Sequence, residues 1–88
     1  MKYFHYQHIS NVADRAIGTT VDVERIYDND EIYTSSLTCP THGSYNSSHF
    51  GYYSERYAAN AAANAHNSTH ECDIDLDSII DISHLLKN

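Results

Sequence analysis

The sequence predicts a small α+β domain with one or two β-hairpins, a central alanine-rich helix and a short C-terminal helix. Three observations lead there. Alternating, β-branched stretches flank the turn cluster Asp28-Asn29-Asp30. The stretch from Tyr57 through Ala65 contains six alanines, and alanine has the highest intrinsic helix propensity. Ile79, Ile80, Ile82, Leu85 and Leu86 form an apolar stripe that a short helix must bury in its own core or on a partner. A chain of 88 residues can close one core and not two, so 1–88 reads as a single domain. It divides into a hairpin region over 1–38, a central module over 39–72 and an amphipathic helix over 75–87.

Taken in order, residues 3–9 alternate with Phe4, Tyr6 and His8 on one side, the pattern of a short strand with an aromatic face. Ser10-Asn11 can cap a helical turn through Val12, Ala13, Ala16 and Ile17, which Gly18 would end. Residues 19–27 and 31–34 are the arms of a β-hairpin, the second arm running on towards Cys39. Residues 44–50, broken by Gly51, form a second hairpin arm or a loop. Ser54 is a good N-cap and Glu55 suits the positive first turn of the alanine-rich helix, which runs to His66. Asn60, Asn64 and Asn67 mark its solvent face or its approaching end. Beyond Cys72, residues 73–77 alternate like a strand before a helix over 78–87, capped by Asp75 or Asp77 and closed by Lys87.

The most informative motif is Cys39-Pro40-Thr41-His42-Gly43, followed by His66, His70 and Cys72. A thiolate and an imidazole two residues apart can reach one zinc ion from a tight turn, and zinc takes four such donors in a tetrahedron. His66 and His70, four apart, share one face of a helix. The expected ligands are therefore Cys39, His42, His66 and His70, with Cys72 the alternative in fourth place. His70 has the helical spacing and Cys72 the softer donor, while the extended look of residues 71–73 threatens to lead the thiol away. His49 enters only if the hairpin folds over the site. The predicted domain is thus zinc-stapled. A Cys39–Cys72 disulfide competes with this reading, but it leaves the clustered histidines unexplained and needs an oxidising compartment. His5, His8 and His84 lack partner spacing and read as ordinary, partly exposed residues.

The stretch from Cys39 to His70 resembles the small zinc modules of phage and bacterial proteins, which combine a Cys-x-x-Cys/His-Gly knuckle, a short hairpin, an alanine-rich helix and a closing histidine pair. The resemblance spans about a third of the chain. It departs in having a histidine at the second knuckle position and 23 residues between His42 and His66, where DNA-reading fingers use about 12.

Five basic and twelve acidic residues give a net charge of −7. Affinity for nucleic acid comes mainly from basic groups that neutralise phosphates, so this balance opposes a general DNA or RNA binder and matches a basic protein surface. Eight tyrosines against two phenylalanines suit a wet interface as well as a core. Asp22 and Glu24 with Asp28, Asp30 and Glu31 concentrate negative charge around the first hairpin, and Asp28, Asp30, Glu31, Tyr52 and Tyr53 are the candidate partner-binding residues. No long apolar run predicts a membrane span, and the N-terminus lacks the pattern of a secretory signal, so the expected setting is cytoplasmic. Competing metal donors and a small core argue against an enzyme. The expected role is a protein-interaction module, for example a phage or mobile-element protein that modulates a host enzyme; the alternative is a nucleic-acid-binding zinc finger.

Overall fold

A computed structural model of the chain describes residues 1–11, 18–25, 32–50 and 54–85. Four strands follow one another before the helix: β1 (Lys2–Gln7), β2 (Gly18–Arg25), β3 (Ile32–Cys39) and β4 (Gly43–Phe50). Helix α1 (Glu55–His70) then crosses back over the sheet, and the two-residue strand β5 (Ile80–Asp81) joins the far edge. The result is one five-stranded sheet in the order β4-β3-β2-β1-β5, each neighbouring pair antiparallel. The predicted α+β class holds, as a continuous sheet rather than separate hairpins. No helix among the described residues is long and apolar enough to cross a membrane.

Period-two alternation decides which face is covered. Phe4 and Tyr6 of β1, Val21 and Val23 of β2, and Tyr33 and Leu37 of β3 are buried on the face that meets α1. The helix answers with Ala58, Ala59, Ala62 and Ala63, whose single methyl groups let its backbone lie close to the sheet. Each alanine buries little area, so the large residues of the sheet supply most of the apolar contribution. The Tyr6 hydroxyl, inside this core, donates to Asn60 Oδ1 at 2.7 Å. That bond makes Asn60 an inward-facing residue, not a solvent one.

Ser54 caps α1, its hydroxyl accepting from the Tyr57 amide at 3.4 Å, and Glu55 occupies the first turn. At the other end the helix runs a full turn beyond His66 and stops where Glu71 adopts a left-handed conformation, φ 53°. Gly18 opens β2 opposite Gln7. A β-carbon there would run into the Tyr6 carbonyl oxygen and the His5 ring, so close strand approach requires glycine. The expected turn through residues 12–17 and the Asp28-Asn29-Asp30 turn lie outside the described residues.

The expected C-terminal helix over 75–87 is not formed in its described part. Residues 76–85 instead comprise a 3₁₀ turn at Leu76–Ser78, β5, and a second 3₁₀ turn at Ser83–Leu85. The open edge of β1 takes this segment. Gln7 N–H donates to Ser78 Oγ at 2.7 Å and Tyr3 N–H to Ser83 Oγ at 3.0 Å, while Ile82 N–H reaches the Tyr3 carbonyl at 2.9 Å. Serine hydroxyls thus stand in for ladder partners, and the β-branched isoleucines prefer extended backbone. Leu76 and Ile79 pack on the core, whereas Ile80 and Leu85 stay exposed.

Candidate metal centre

Three parts of the chain converge at one end of the sheet. Cys39 ends β3 and pairs with Gly43 at the start of β4, so residues 40–42 are a three-residue hairpin loop. Gly43 has φ 91° with open space around it, so its glycine answers a backbone requirement and not a packing one. The Tyr45 hydroxyl donates to the His42 carbonyl at 2.8 Å and pins this loop. The Cys39 side chain is buried beneath it.

His66, in the last turns of α1, is buried and faces the same point. Cys72 arrives by a sharp return. The left-handed Glu71 reverses the chain, and the Asn67 side chain then holds Ile74 by both backbone groups. Its amide donates to the Ile74 carbonyl at 3.0 Å and its oxygen accepts from the Ile74 N–H at 2.9 Å. Ile74 in turn bridges to His8. Residues 71–73 therefore do not lead the thiol away; they bring it back.

Cys39, His42, His66 and Cys72 each present a ligating atom, and the four atoms lie within 4.8 Å of one another. Cys39 Sγ stands 3.9 Å from Cys72 Sγ and 3.6 Å from His42 Nδ1. A tetrahedron with zinc–sulfur bonds of about 2.3 Å and zinc–nitrogen bonds of about 2.0–2.1 Å has edges of about 3.8 Å between sulfurs and about 3.6 Å between sulfur and nitrogen. The two measured edges fit it. Both cysteines are free, so the alternative disulfide is absent. His66 Nε2 is buried without a hydrogen-bond partner among the described residues, an unfavourable state that coordination would relieve.

The cluster takes Cys72 where sequence spacing favoured His70. His70 stacks outside it, its ring 4.7 Å from that of His66, 5.2 Å from His42 and 4.5 Å from Tyr45. Helical spacing put two imidazoles on one face but could not say that a reversed chain would place a thiol nearer. His8, read as ordinary and partly exposed, is buried instead. Its Nδ1 lies 2.9 Å from Asp73 Oδ1 and its Nε2 2.7 Å from Thr19 Oγ1, and Nδ1 is also 3.8 Å from Cys72 Sγ. The signal available was its place on the aromatic side of the first strand, beside Phe4 and Tyr6. Asp28, Asp30, Glu31, Tyr52 and Tyr53 lie outside the described residues, as does the His49 side chain.

Burial dominates the electrostatics of the cluster. Burial, then the imidazoles of His70, His42 and His8, holds His66 below the ordinary histidine range, which keeps the ring neutral and able to ligate. Burial, then Cys39, pushes the Cys72 thiol up. A divalent ion held by the four donors would reverse that second effect by stabilising thiolate. Hydrogen bonds from Ser10 and then His8 hold the Asp73 carboxyl at about 2, so it anchors the neighbouring loop as a carboxylate. A cleft of about 430 Å³ lies between the Pro40-Thr41-His42 loop and Glu71-Cys72-Asp73. Comparison with protein-family models, curated proteins and solved structures finds no match to this chain.

Proposed function

We propose that this chain is an acidic protein-interaction module, stapled by a structural zinc ion at Cys39, His42, His66 and Cys72, that docks on a basic surface of a larger protein. The four-donor cluster carries the reading. Two thiolates and two imidazoles are a zinc donor set, and four protein donors complete the tetrahedron with no position left for substrate, which favours a structural role over catalysis. The staple ties β3, α1 and the returning chain together at one end of the sheet.

Docking is supported by charge. On the face of the sheet away from α1, Asp22 and Glu24 line a cavity of about 430 Å³ with Thr34, Ser36, Asn46 and Ser48. Partial burial raises the Asp22 carboxyl, and no described cation offsets it. A lysine or arginine from a partner meets that need. Enzymes that handle nucleic acid carry such basic surfaces, so a phage or mobile-element protein acting on a host enzyme fits the chemistry. For a nucleic-acid-binding finger the helix is poorly equipped: its one base, Arg56, contacts the Ile79 carbonyl at 3.5 Å.

Purification under reducing conditions followed by elemental analysis and chelator melts tests the staple. One zinc per chain and a large drop in melting temperature on chelation are expected. A metal-free protein whose melt ignores chelator refutes it. A lysine-rich probe peptide should bind at low salt and lose affinity in the Asp22→Asn, Glu24→Gln double variant; tighter binding to a nonspecific duplex would transfer the function to the nucleic-acid reading.

A further inference from the structure

Cys72 has donors on two sides. Its sulfur stands 3.9 Å from Cys39 Sγ in the four-donor cluster and 3.8 Å from His8 Nδ1, which is outside that cluster. His8 Nδ1 lies in turn 2.9 Å from Asp73 Oδ1, and one ligating atom from each of His8, Cys72 and Asp73 falls within 4.8 Å of the other two. All three residues line the cleft between the Pro40-Thr41-His42 loop and Glu71-Cys72-Asp73.

We propose that His8, Cys72 and Asp73 form a second metal site, which takes a zinc ion beside the first with the Cys72 thiolate bridging the two. The proposal goes beyond the structural staple and rests on that reading only for Cys72, the shared ligand.

The atoms of these ligands that face away from the site already have partners. His8 Nε2 is 2.7 Å from the buried Thr19 Oγ1, and a hydroxyl accepts as readily as it donates. With the ring proton on Nε2 and given to Thr19, Nδ1 keeps a lone pair for the ion. Asp73 Oδ2 accepts from the Ser10 N–H at 2.8 Å, which leaves Oδ1 on the side of His8. Outer partners of this kind fix the tautomer and orientation of metal ligands. The main chain holds the parts together as well, since His8 pairs with Ile74 across an isolated bridge.

The separations suit zinc. A tetrahedron has nitrogen–sulfur edges of about 3.6 Å, close to the 3.8 Å between His8 and Cys72. Its nitrogen–oxygen edge is about 3.4 Å, so the 2.9 Å approach of His8 and Asp73 has to open by about 0.5 Å as the ion replaces the proton they share. The Asp73 side chain is 39% exposed and free to make that move. A thiolate bound to one ion keeps lone pairs for another. Three protein ligands leave zinc a fourth position for water or a small anion, and here that position opens on the cleft. The second ion is therefore the weaker and more exchangeable of the two.

The full chain, purified with its first zinc, is titrated with further zinc; metal-free protein is titrated in parallel with cobalt. A second, weaker equivalent is expected in each case. Two high-spin cobalt ions sharing a thiolate couple their spins, so the electron paramagnetic resonance signal should grow with the first equivalent and fall with the second. Azide should shift the visible bands of the second cobalt only. Asp73→Asn keeps an oxygen for the Ser10 N–H and offers His8 an amide hydrogen in place of a metal lone pair. It should retain the first equivalent and bind the second at least about a hundredfold more weakly. Glu71→Gln removes the same charge from the rim of the same cleft and should leave both equivalents unchanged. Uptake of a single tight zinc at saturation overturns this site and spares the staple, whereas uptake of none overturns both. A second equivalent that Asp73→Asn leaves intact, that Glu71→Gln weakens as much, or whose cobalt spins stay uncoupled also overturns the proposal.

Discussion

Asn67 holds Ile74 by both of its backbone groups, at 3.0 and 2.9 Å, seven residues further along the chain. A side-chain amide thereby does the work of a strand partner: it folds the chain back after α1 and delivers the Cys72 thiol to within 3.9 Å of Cys39.

Asn67→Ala removes both bonds and leaves the Ile74 amide and carbonyl without their partner. A loss of ~1–3 kcal/mol in folding stability is expected, with metal affinity reduced because the fourth donor is no longer held in place. Denaturant titration of apo and metal-loaded protein reads both effects. A variant with parental stability and affinity would show that the return is held by other contacts.

The ligand assignment separates two single variants. Cys72→Ser should lower zinc affinity by orders of magnitude in competition with a chromophoric chelator, while His70→Ala should change it little, since His70 stacks outside the four. Cobalt loaded into the parent should give the intense visible bands of a tetrahedral thiolate site. Equal losses in the two variants, or the opposite order, would return the fourth position to His70.

Gly18 is required by space. Gly18→Ala drives a β-carbon into the Tyr6 carbonyl oxygen, and backbone cannot swing aside as a flexible side chain can. The β1–β2 pair must part, at a cost of ~1–3 kcal/mol. Gly43→Ala, by contrast, meets no atom and pays only for its left-handed backbone. Thermal melts of the two should differ in that order.

Tyr6 makes stability sensitive to alkali. Burial pushes its phenol well above the ordinary value of 10.0, Arg56 only partly offsetting this, so the folded state favours the protonated form. The sign follows from linkage: the contribution is complete below pH 10, where both states hold the proton, and is lost as the pH rises towards the folded-state value. Denaturation midpoints should fall above pH 10, and less so in Tyr6→Phe, which lacks the titrating group. The same variant should be modestly less stable at neutral pH, by ~1 kcal/mol, because Asn60 loses its 2.7 Å partner. An identical alkaline slope in both proteins would assign the effect to other groups.

Local patterns made much of this molecule legible in the sequence. Alternation placed Phe4 and Tyr6 on the inner face of the first strand and Val21 and Val23 on the inner face of the hairpin, since a pleated strand has only two sides. Alanine content and the Ser54 cap placed the helix, and the Cys39-to-Gly43 spacing marked a turn able to present a thiolate beside an imidazole. These properties belong to a few adjacent residues. Contacts between distant segments decided the rest. The isoleucines after Ser78 are as apolar as an amphipathic helix requires, yet the unpaired edge of β1 takes them as extended chain. His8 has no neighbour in sequence to give it a role, and is buried because Thr19 and Asp73 come to it. Cys72 looked misdirected until Glu71 turned left-handed and Asn67 clasped Ile74. Spacing thus determined which residues could bind a metal together, whereas which four converge was decided by tertiary structure, because a ligand's position depends on where the chain turns back.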